Sequence, residues 1–184
     1  HWVNQVIAWL SGRGISSVVC MSENIRDVLF PGGNGERVSV IYEGVALENS
    51  TAASELIPPE LFCEDKVTLA VIGRIHASKG QFEFIKLLHE AKDKLSKKTR
   101  LYIVGDVPPG DLRGNIYRKK IKNYIHSHGM EDQVCFSGFR QDIAAVLKNA
   151  DICVFPYQRN EPFGLALLEA LVASKRVLVN MNSG

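Results

Sequence analysis

Runs of apolar residues alternate with amphipathic stretches along most of the chain, and this alternation predicts strands followed by helices. From residue 66 onward, five runs are apolar along their whole length, as is typical of strands buried on both faces of a sheet. Each run is followed by a helical stretch, so the pattern predicts a parallel sheet covered by helices. The five predicted strands are residues 66–75, 100–106, 133–139, 151–157 and 176–181.

The segments between these strands carry helical periodicity. In "QFEFIKLLHEAKDKL" (81–95), apolar residues recur three and four positions apart. Residues 116–129 form an amphipathic helix that stops at a glycine, and residues 142–150 form a shorter helix. The fold class is therefore predicted as α/β, a Rossmann-like parallel sheet with helices on both faces.

A further helix is predicted within "EPFGLALLEALVASKRVLV" (161–179). From Gly164 to Ala173 every residue is apolar or small except Glu169, and Pro162 suits a first helical turn. A helix that is apolar on all sides is predicted to be buried. A buried carboxylate is costly unless something satisfies it, so Glu169 is predicted to have a partner.

The chain before residue 66 is less regular. Two strand-like runs, residues 16–21 and 38–45, flank a helix that is predicted to start at Ser22. Residues 31–36 form a loop by composition, and residues 46–65 are polar and contain proline, which is typical of a connection.

The composition is that of an ordinary globular protein. The chain has 184 residues, of which 46% are hydrophobic and 23% charged, with a formal net charge of +2, and this gives no sign of a nucleic-acid-binding surface. The sequence contains no run of 18 apolar residues, so it predicts no membrane-spanning helix. The four cysteines form no CxxC pair, so they are predicted to be small buried residues in a reducing compartment. The first ten residues resemble a helix already under way, and the last few resemble a strand entering a loop, so we expect a longer parent protein.

The loop after the first strand of the sheet is a candidate anion site. In open parallel sheets, ligands bind beyond the carboxyl ends of the strands. "GRIHASKG" (73–80) places Arg74 and Lys79 in such a loop, and Gly80 at the start of the next helix, where backbone N–H groups favour an anion. The loop predicts a diphosphate clamp; the alternative is a pair of solvated surface charges. His76 could contact a ligand there, or be an ordinary loop histidine.

Two further loops carry candidate ligand contacts. Phe139 follows a strand and is predicted to stack on a base or, alternatively, to be a core residue. In residues 159–169, the backbone N–H groups of Phe163, Gly164 and Leu165 are predicted to be available at a helix start, with Glu161 in the mouth of the cleft. The glycine- and proline-rich loop 105–111 is equally consistent with a plain turn.

Several segments together resemble the retaining glycosyltransferases of the GT-B fold, family 4, also called glycosyl transferases group 1. Glu161 to Glu169 match the E-x-F-G-x4-E pattern of that family, and "VIGRIHASKG" matches its G-R-x4-K-G segment. "VSVIYEGV" resembles the family's entry to its second domain, with Glu43 where Asn is usual. "VCFSGF" and "NADICVFPY" also fit in order and spacing.

The resemblance implies two Rossmann-like domains with the active site between them. Residues 1–45 would be the tail of the N-terminal domain with its linker strand, and residues 46–65 the connection. Residues 66–184 would be the donor-binding domain, lacking its C-terminal end. This fragment alone is expected to transfer nothing.

The resemblance also implies roles for individual residues. Arg74 and Lys79 would stabilise the charge on the departing diphosphate, with Gly73 beside them. Glu161 would hydrogen-bond the sugar near the reacting carbon, and Glu169 would accept the ribose hydroxyls. The donor-binding set implied is Gly73, Phe139, Phe163, Gly164, Leu165 and Glu169.

The expected substrate is a UDP-, GDP- or ADP-sugar, with no metal and no other cofactor. The expected acceptor is a glycan or a lipid-linked sugar, transfer would retain the anomeric configuration, and the location would be cytoplasmic. The basic cluster formed by Arg113, Arg118, Lys119, Lys120 and Lys122 is consistent with a peripheral contact with an anionic membrane, or with a solvated helix face.

Other functions are less consistent with the residues. A glycoside hydrolase needs two carboxyl groups facing one bond, and Glu169 is poorly placed for that within a helix. A GT-B epimerase or a non-catalytic nucleotide-sugar-binding module would use a similar site, although the module would not need Glu161. His126 and His128, two residues apart, do not share a helix face and do not predict a metal site.

Overall fold

The computed structural model describes residues 16–31, 37–45, 66–95, 98–159 and 161–180. Several predictions lie outside these residues: the opening helix, most of the loop 31–36, the connection 46–65 with Cys63, and the last four residues.

The N-terminal part of the described chain is a small βαβ unit. Strand β1 (Val18–Cys20) pairs in parallel with β2 (Val38–Val40), and helix α1 (Glu23–Leu29) lies between them in sequence. The side chain of Ser22 caps α1, because its Oγ accepts a hydrogen bond from the backbone N–H of Ile25 at 3.2 Å.

The main sheet has five parallel strands, as predicted, and their order is β5-β4-β3-β6-β7. The central strands β3 and β4 are buried over most of their length because helices cover both of their faces. The strands are β3 (Val67–Ile72), β4 (Thr99–Val104), β5 (Val134–Gly138), β6 (Ile152–Phe155) and β7 (Arg176–Val179).

In the described part of the chain, four helices cover the sheet, two on each face. They are α2 (Gln81–Glu90), α3 (Leu112–Ser127), α4 (Ile143–Asn149) and α5 (Leu165–Val172). Ile85 of α2 and Ile121 of α3 are fully buried against alternate residues of β3 and β4 on one face. Val146 of α4 and Ala170 of α5 are buried against the other face. Each fully buried valine or isoleucine side chain stabilises the fold by about 1.5–3 kcal/mol.

Helix α3 begins one turn earlier than predicted. The sequence pattern placed its start at residue 116, but the helix starts at Leu112. Asp111 is the N-cap, and its Oδ1 accepts a hydrogen bond from the N–H of Gly114 at 2.9 Å. This cap satisfies a backbone N–H donor in the first turn of the helix. The polar composition of the preceding loop did not indicate that the helix starts there.

The prediction that Pro162 lies in the first turn of α5 is wrong. The helix begins at Leu165, and Gly164 is its N-cap with φ +84° and ψ +51°. A residue in this left-handed conformation cannot be helical, so Glu161, Pro162 and Phe163 belong to the preceding loop.

The prediction that α5 is buried on all sides is also wrong for the described structure. Only Ala170 is buried, whereas Leu165, Leu171 and Val172 are 42%, 54% and 37% exposed. The helix packs on the edge of the sheet beside β7, where one side of a helix is enough to cover the strand.

The cysteines follow the prediction in part. Cys20 and Cys153 are buried, Cys135 is half-buried, and all three are free thiols. Burial raises the pKa of the Cys153 thiol to about 11, so this thiol stays protonated at neutral pH. Among the described residues, none of the helices has both the length and the apolar character needed to cross a bilayer.

Candidate functional site

The strand order reverses between β3 and β6, and this point defines the cleft. The chain builds β3, β4 and β5 toward one edge of the sheet and then adds β6 on the other side of β3. At such a switch point the loops after the two central strands separate and leave a crevice. The loop after β3 contains Arg74 and Lys79, and the loop after β6 contains Glu161.

The loop after β3 is held by its own side chains. His76 caps a short 3-10 turn (Ala77–Lys79), since its Nδ1 accepts from the backbone N–H of Ser78 at 3.2 Å. Gln81 is 1% exposed, and its Nε2 donates to the carbonyl oxygen of Arg74 at 2.7 Å. His76 and Gln81 therefore fix the loop, and His76 caps its turn, a role that the sequence did not predict.

Gly80 lets the loops after β3 and β6 pack against each other. A Cβ at this position would lie 1.8 Å from the carbonyl oxygen of Pro156, and Gly80 has φ +73°. Next to it, the N–H of Gln158 donates to the carbonyl oxygen of Ser78 at 2.8 Å. The absence of a side chain at Gly80 is thus what allows the two loops to approach closely.

Lys79 and Glu161 meet across the cleft. The Nζ of Lys79 donates to the Oε2 of Glu161 at 2.6 Å, and the two side chains are only 17% and 19% exposed. An ion pair with this degree of burial is weakly screened, and neutralising one partner leaves the other charge poorly compensated. The sequence predicted both residues for the cleft but not their contact.

Tyr157 lies beneath this ion pair. It is 2% exposed, and the Nζ of Lys79 lies 5.0 Å from the centre of its ring. Burial, and secondarily the charge of Glu161, raise the pKa of the Tyr157 phenol, which stays protonated. Sequence reasoning missed Tyr157; its place directly after a buried strand at the switch point is the signal that could have found it.

The segment from Glu161 to Leu165 forms the rim of the cleft. Phe163 is half-buried, and its ring centre lies 6.3 Å from that of Tyr42, which follows β2. Gly164 is buried, and Leu165 is the first residue of α5. The Tyr42–Phe163 contact joins the N-terminal unit to the rim, which the sequence did not predict.

Glu169 lies in the second turn of α5 and is half-buried rather than fully buried. Burial raises the pKa of its carboxyl group, and the described residues supply no hydrogen bond to its side chain. The helix thus presents a partly desolvated carboxylate without a protein partner in the described part of the chain.

Phe139 is 75% exposed at the carboxyl end of β5, so its interpretation as a core residue is wrong. Strands are spaced about 4.8 Å apart, so Phe139 lies roughly 10 Å along the sheet edge from the end of β3. Gly73 follows β3, and its N–H donates to the carbonyl oxygen of Val104 at 2.9 Å. An exposed aromatic ring at this edge is available for stacking.

The structure brings together some of the predicted residues and separates others. Lys79 and Glu161 are in contact, and Gly164 lies next to them. Arg74 shares the loop with Lys79, but it is exposed. The predicted clamp of two cations is therefore represented by Lys79 alone in this conformation.

The remaining candidates have local partners. His126 lies 2.8 Å from a carboxylate oxygen of Glu131, and His128 stacks on Tyr124 with ring centres 3.9 Å apart. Within the described ranges, no group of three or more His, Cys, Asp or Glu side chains is arranged to hold a metal ion.

Residues 53–184 match the family described as Glycosyl transferases group 1. Among curated proteins, the chain is similar to the mannosylfructose-phosphate synthase of Agrobacterium fabrum. The two are 29% identical over 140 residues, which cover 73% of this chain and 30% of that protein.

The fold is also that of solved glycosyltransferases. The structure of Anabaena Alr3699/HepE in complex with UDP and glucose aligns over 98% of this chain and 48% of that chain, with a TM-score of 0.81 and 24% identity. The sucrose-phosphate synthase of Thermosynechococcus elongatus aligns over 100% of this chain and 45% of its own, with a TM-score of 0.75 and 22% identity. The chain spans less than half the length of these relatives.

Proposed function

The chain belongs to the glycosyl transferases group 1 family, and we propose that its cleft between β3 and β6 binds the diphosphate sugar donor of a larger transferase. The observation that carries the proposal is the half-buried pair of Lys79 and Glu161, whose charged atoms lie 2.6 Å apart at the switch point. A cation there suits the diphosphate, and a carboxylate suits sugar hydroxyls.

Lys79 is proposed to stabilise the negative charge that develops on the diphosphate when the bond to the sugar breaks. Arg74, an exposed residue of the same loop, would join it when the anion arrives. Glu161 would accept hydrogen bonds from the sugar next to the reacting carbon. Because cations of the chain can perform this charge stabilisation, we propose a metal-independent reaction.

The donor's nucleoside is proposed to lie along the carboxyl edge of the sheet. Phe139 would stack on the base, and the carboxylate of Glu169 would accept the ribose hydroxyls. The N–H groups of Phe163, Gly164 and Leu165 would contact the sugar or a phosphate. Gly73 leaves room beside the phosphates.

For the whole protein, we propose family 4 chemistry with retention of configuration and transfer to a glycan or glycolipid acceptor. Residues 66–184 would be the donor domain, and residues 1–45 the end of the acceptor domain with its linker. The basic helix α3 supports a cytoplasmic location with a peripheral membrane contact.

Calorimetric titration of this chain with UDP, GDP and ADP tests the donor site. We expect one of them to bind, and Glu161→Gln to tighten its binding about three- to tenfold, or roughly 0.7–1.4 kcal/mol, because Lys79 is released from its ion pair. In the full-length protein the same substitution should abolish sugar transfer.

Glu131→Gln is the matched control, since it removes an exposed carboxylate that pairs with His126 away from the cleft. It should change neither affinity nor transfer. Failure of all three diphosphates to bind would refute the donor site, and full transfer by Glu161→Gln would refute the role of Glu161. Donor binding by a full-length protein that transfers sugar to no acceptor would identify a binding module instead.

A further inference from the structure

We propose that Tyr157 is a positioning residue. Its ring holds the ammonium group of Lys79 in place for the donor diphosphate and separates that group from the floor of the cleft. The inference rests on the proposed donor site and adds to it Tyr157, the last residue of "NADICVFPY", to which the sequence assigned no role. It follows from three contacts that Tyr157 makes at the switch point.

The first contact is between the ring and the ammonium group. The Nζ of Lys79 lies 5.0 Å from the ring centre of Tyr157, within the range in which an aromatic face attracts a cation. Lys79 is 17% exposed, so few water molecules compete for this ammonium group and the attraction is stronger than at an exposed site. The ring therefore supports the ammonium group from below.

The second contact involves the hydroxyl group. A Cβ built on Gly164 would lie 3.8 Å from the hydroxyl oxygen of Tyr157, which places that oxygen beside the start of α5. Glu161 lies three residues before Gly164 in the same rim. Tyr157 thus lies between the two halves of the cleft, with its ring near Lys79 and its hydroxyl near the rim.

The third contact fixes the backbone of Tyr157. Its carbonyl oxygen accepts a hydrogen bond from the Nδ2 of Asn180, and the N–H of the next residue, Gln158, donates to Ser78. Tyr157 is held from both sides and is 2% exposed, so its ring has little freedom to move. A rigid ring is suited to restrict a long, flexible lysine side chain.

An ammonium group has three N–H donors, and Glu161 receives one of them in this structure. With the ring of Tyr157 on one side, the ammonium group has its other donors available for a ligand in the cleft. The diphosphate would then meet a lysine that is already oriented, which reduces the entropy lost on binding.

The test compares variants by their affinities for the diphosphate and the monophosphate of whichever nucleoside binds. Tyr157→Leu should weaken the diphosphate about tenfold and the monophosphate less than threefold, because the positioned lysine matters most for the second phosphate. Tyr157→Phe, which keeps the ring, should stay within threefold for both. Phe155→Leu is the matched control, because Phe155 is 1% exposed and its ring centre lies 5.9 Å from that of Tyr157. This substitution should leave the ratio of the diphosphate affinity to the monophosphate affinity unchanged.

Pentafluorophenylalanine at position 157 keeps the ring's shape but removes its negative face, so it tests the cation contact even if Tyr157→Leu does not fold. It should weaken the diphosphate relative to Tyr157→Phe. The proposal would be overturned if Tyr157→Leu lost affinity equally for the diphosphate and the monophosphate. It would also be overturned if the fluorinated and unfluorinated rings gave the same diphosphate affinity.

A ligand-free measurement separates this proposal from the proposed function. The effects of Tyr157→Leu and Lys79→Met on the urea midpoint should be less than additive, because each substitution removes the same contact. Additive effects would overturn the positioning role. A different result would refute the donor site alone: the wild-type chain binds no diphosphate, but the two substitutions still have less than additive effects on the urea midpoint.

Discussion

Glu169 is the only charged side chain in α5, and its environment makes its ionised form unfavourable. Burial raises the pKa of the carboxyl group above its ordinary value of 4.5. A group whose pKa is raised by folding stabilises the protein when it is protonated, below its unfolded pKa. That contribution is lost as the pH rises through the folded pKa. Above that folded pKa the unliganded protein therefore carries a carboxylate that weakens its fold.

We predict that Glu169→Gln removes this pH dependence. Between pH 4.5 and neutrality, the melting temperature of the wild type should fall relative to that of the variant as the carboxylate ionises. Nucleotide binding should show the opposite trend in the wild type and weaken as the pH falls through the raised pKa, because ribose hydroxyls donate to the ionised form. Glu169→Gln should bind more weakly, with a flatter pH profile.

Thermal melts at several pH values, with and without the nucleotide that binds, measure both trends. Glu90→Gln, at an exposed position of α2, is the control and should follow the wild type. A wild-type profile parallel to that of Glu169→Gln would show that Glu169 does not titrate as its burial indicates.

At this scale, the sequence predicted positions better than contacts. Lys79 and Glu161 were predicted for the cleft because parallel strands bring their carboxyl ends to one edge. Their direct contact, and the ring of Tyr157 below them, depend on side-chain conformations that no periodicity records. The exposure of Phe139 was left open for the same reason, since an aromatic residue after a strand can turn inward or outward.

At the scale of elements, Gly80 determines how closely the loops after β3 and β6 approach. We predict that Gly80→Ala destabilises the chain by more than about 2 kcal/mol, since a Cβ would collide with the backbone of Pro156 in addition to being strained at positive φ. The loops would separate, and Lys79 would move away from Glu161. Diphosphate binding should be lost even at temperatures where the variant is folded.

Gly110→Ala is the matched control, because Gly110 also has positive φ, at +81°, but a Cβ there would meet nothing within 4 Å. It should cost only the backbone strain, roughly 1–2 kcal/mol, and should leave binding intact. Urea denaturation and calorimetry distinguish the two variants. Equal destabilisation by both would mean that backbone strain, and not the contact with Pro156, is what matters at Gly80.

The elements themselves were largely predictable, but their ends were not. The five strands and the helices of the main sheet follow from apolar runs and helical spacing. The start of α3 at Leu112 depends on the cap provided by Asp111, and the start of α5 depends on the left-handed Gly164. Capping is a local geometry that composition suggests only weakly. The exposure of α5 depends on its place at the sheet edge, which is a property of topology.

At the scale of the whole molecule, the outer face of α3 combines exposed apolar side chains with cations. Leu112 and Ile116, one turn apart, are 77% and 71% exposed. The helix carries five cationic residues and no acidic one. Some of these cations have partners within the protein: Arg118 pairs with Asp106, and the Nζ of Lys120 lies 3.8 Å from the ring centre of Phe82.

Apolar side chains surrounded by cations suit the surface of an anionic bilayer. Each nearby Lys or Arg contributes about 1 kcal/mol of attraction to such a surface. Insertion of Leu112 and Ile116 adds roughly 1.5–3 kcal/mol for each side chain that becomes fully buried. Neither contribution alone gives firm binding, and the two together give a reversible contact that salt weakens.

We predict that this chain sediments with vesicles containing phosphatidylserine at least tenfold more than with phosphatidylcholine vesicles, and less so in high salt. Leu112→Ser with Ile116→Ser should reduce binding at all salt concentrations, whereas Arg113→Glu with Lys119→Glu should reduce it and also remove its salt dependence.

The control is Leu171→Ser with Lys148→Glu, which changes exposed residues on the opposite face of the sheet and should leave binding unchanged. Equal loss in the control would mean that total charge, rather than this face, directs the chain to lipid. If the outer face of α3 does bind, the cleft next to its N-terminus would lie near the membrane.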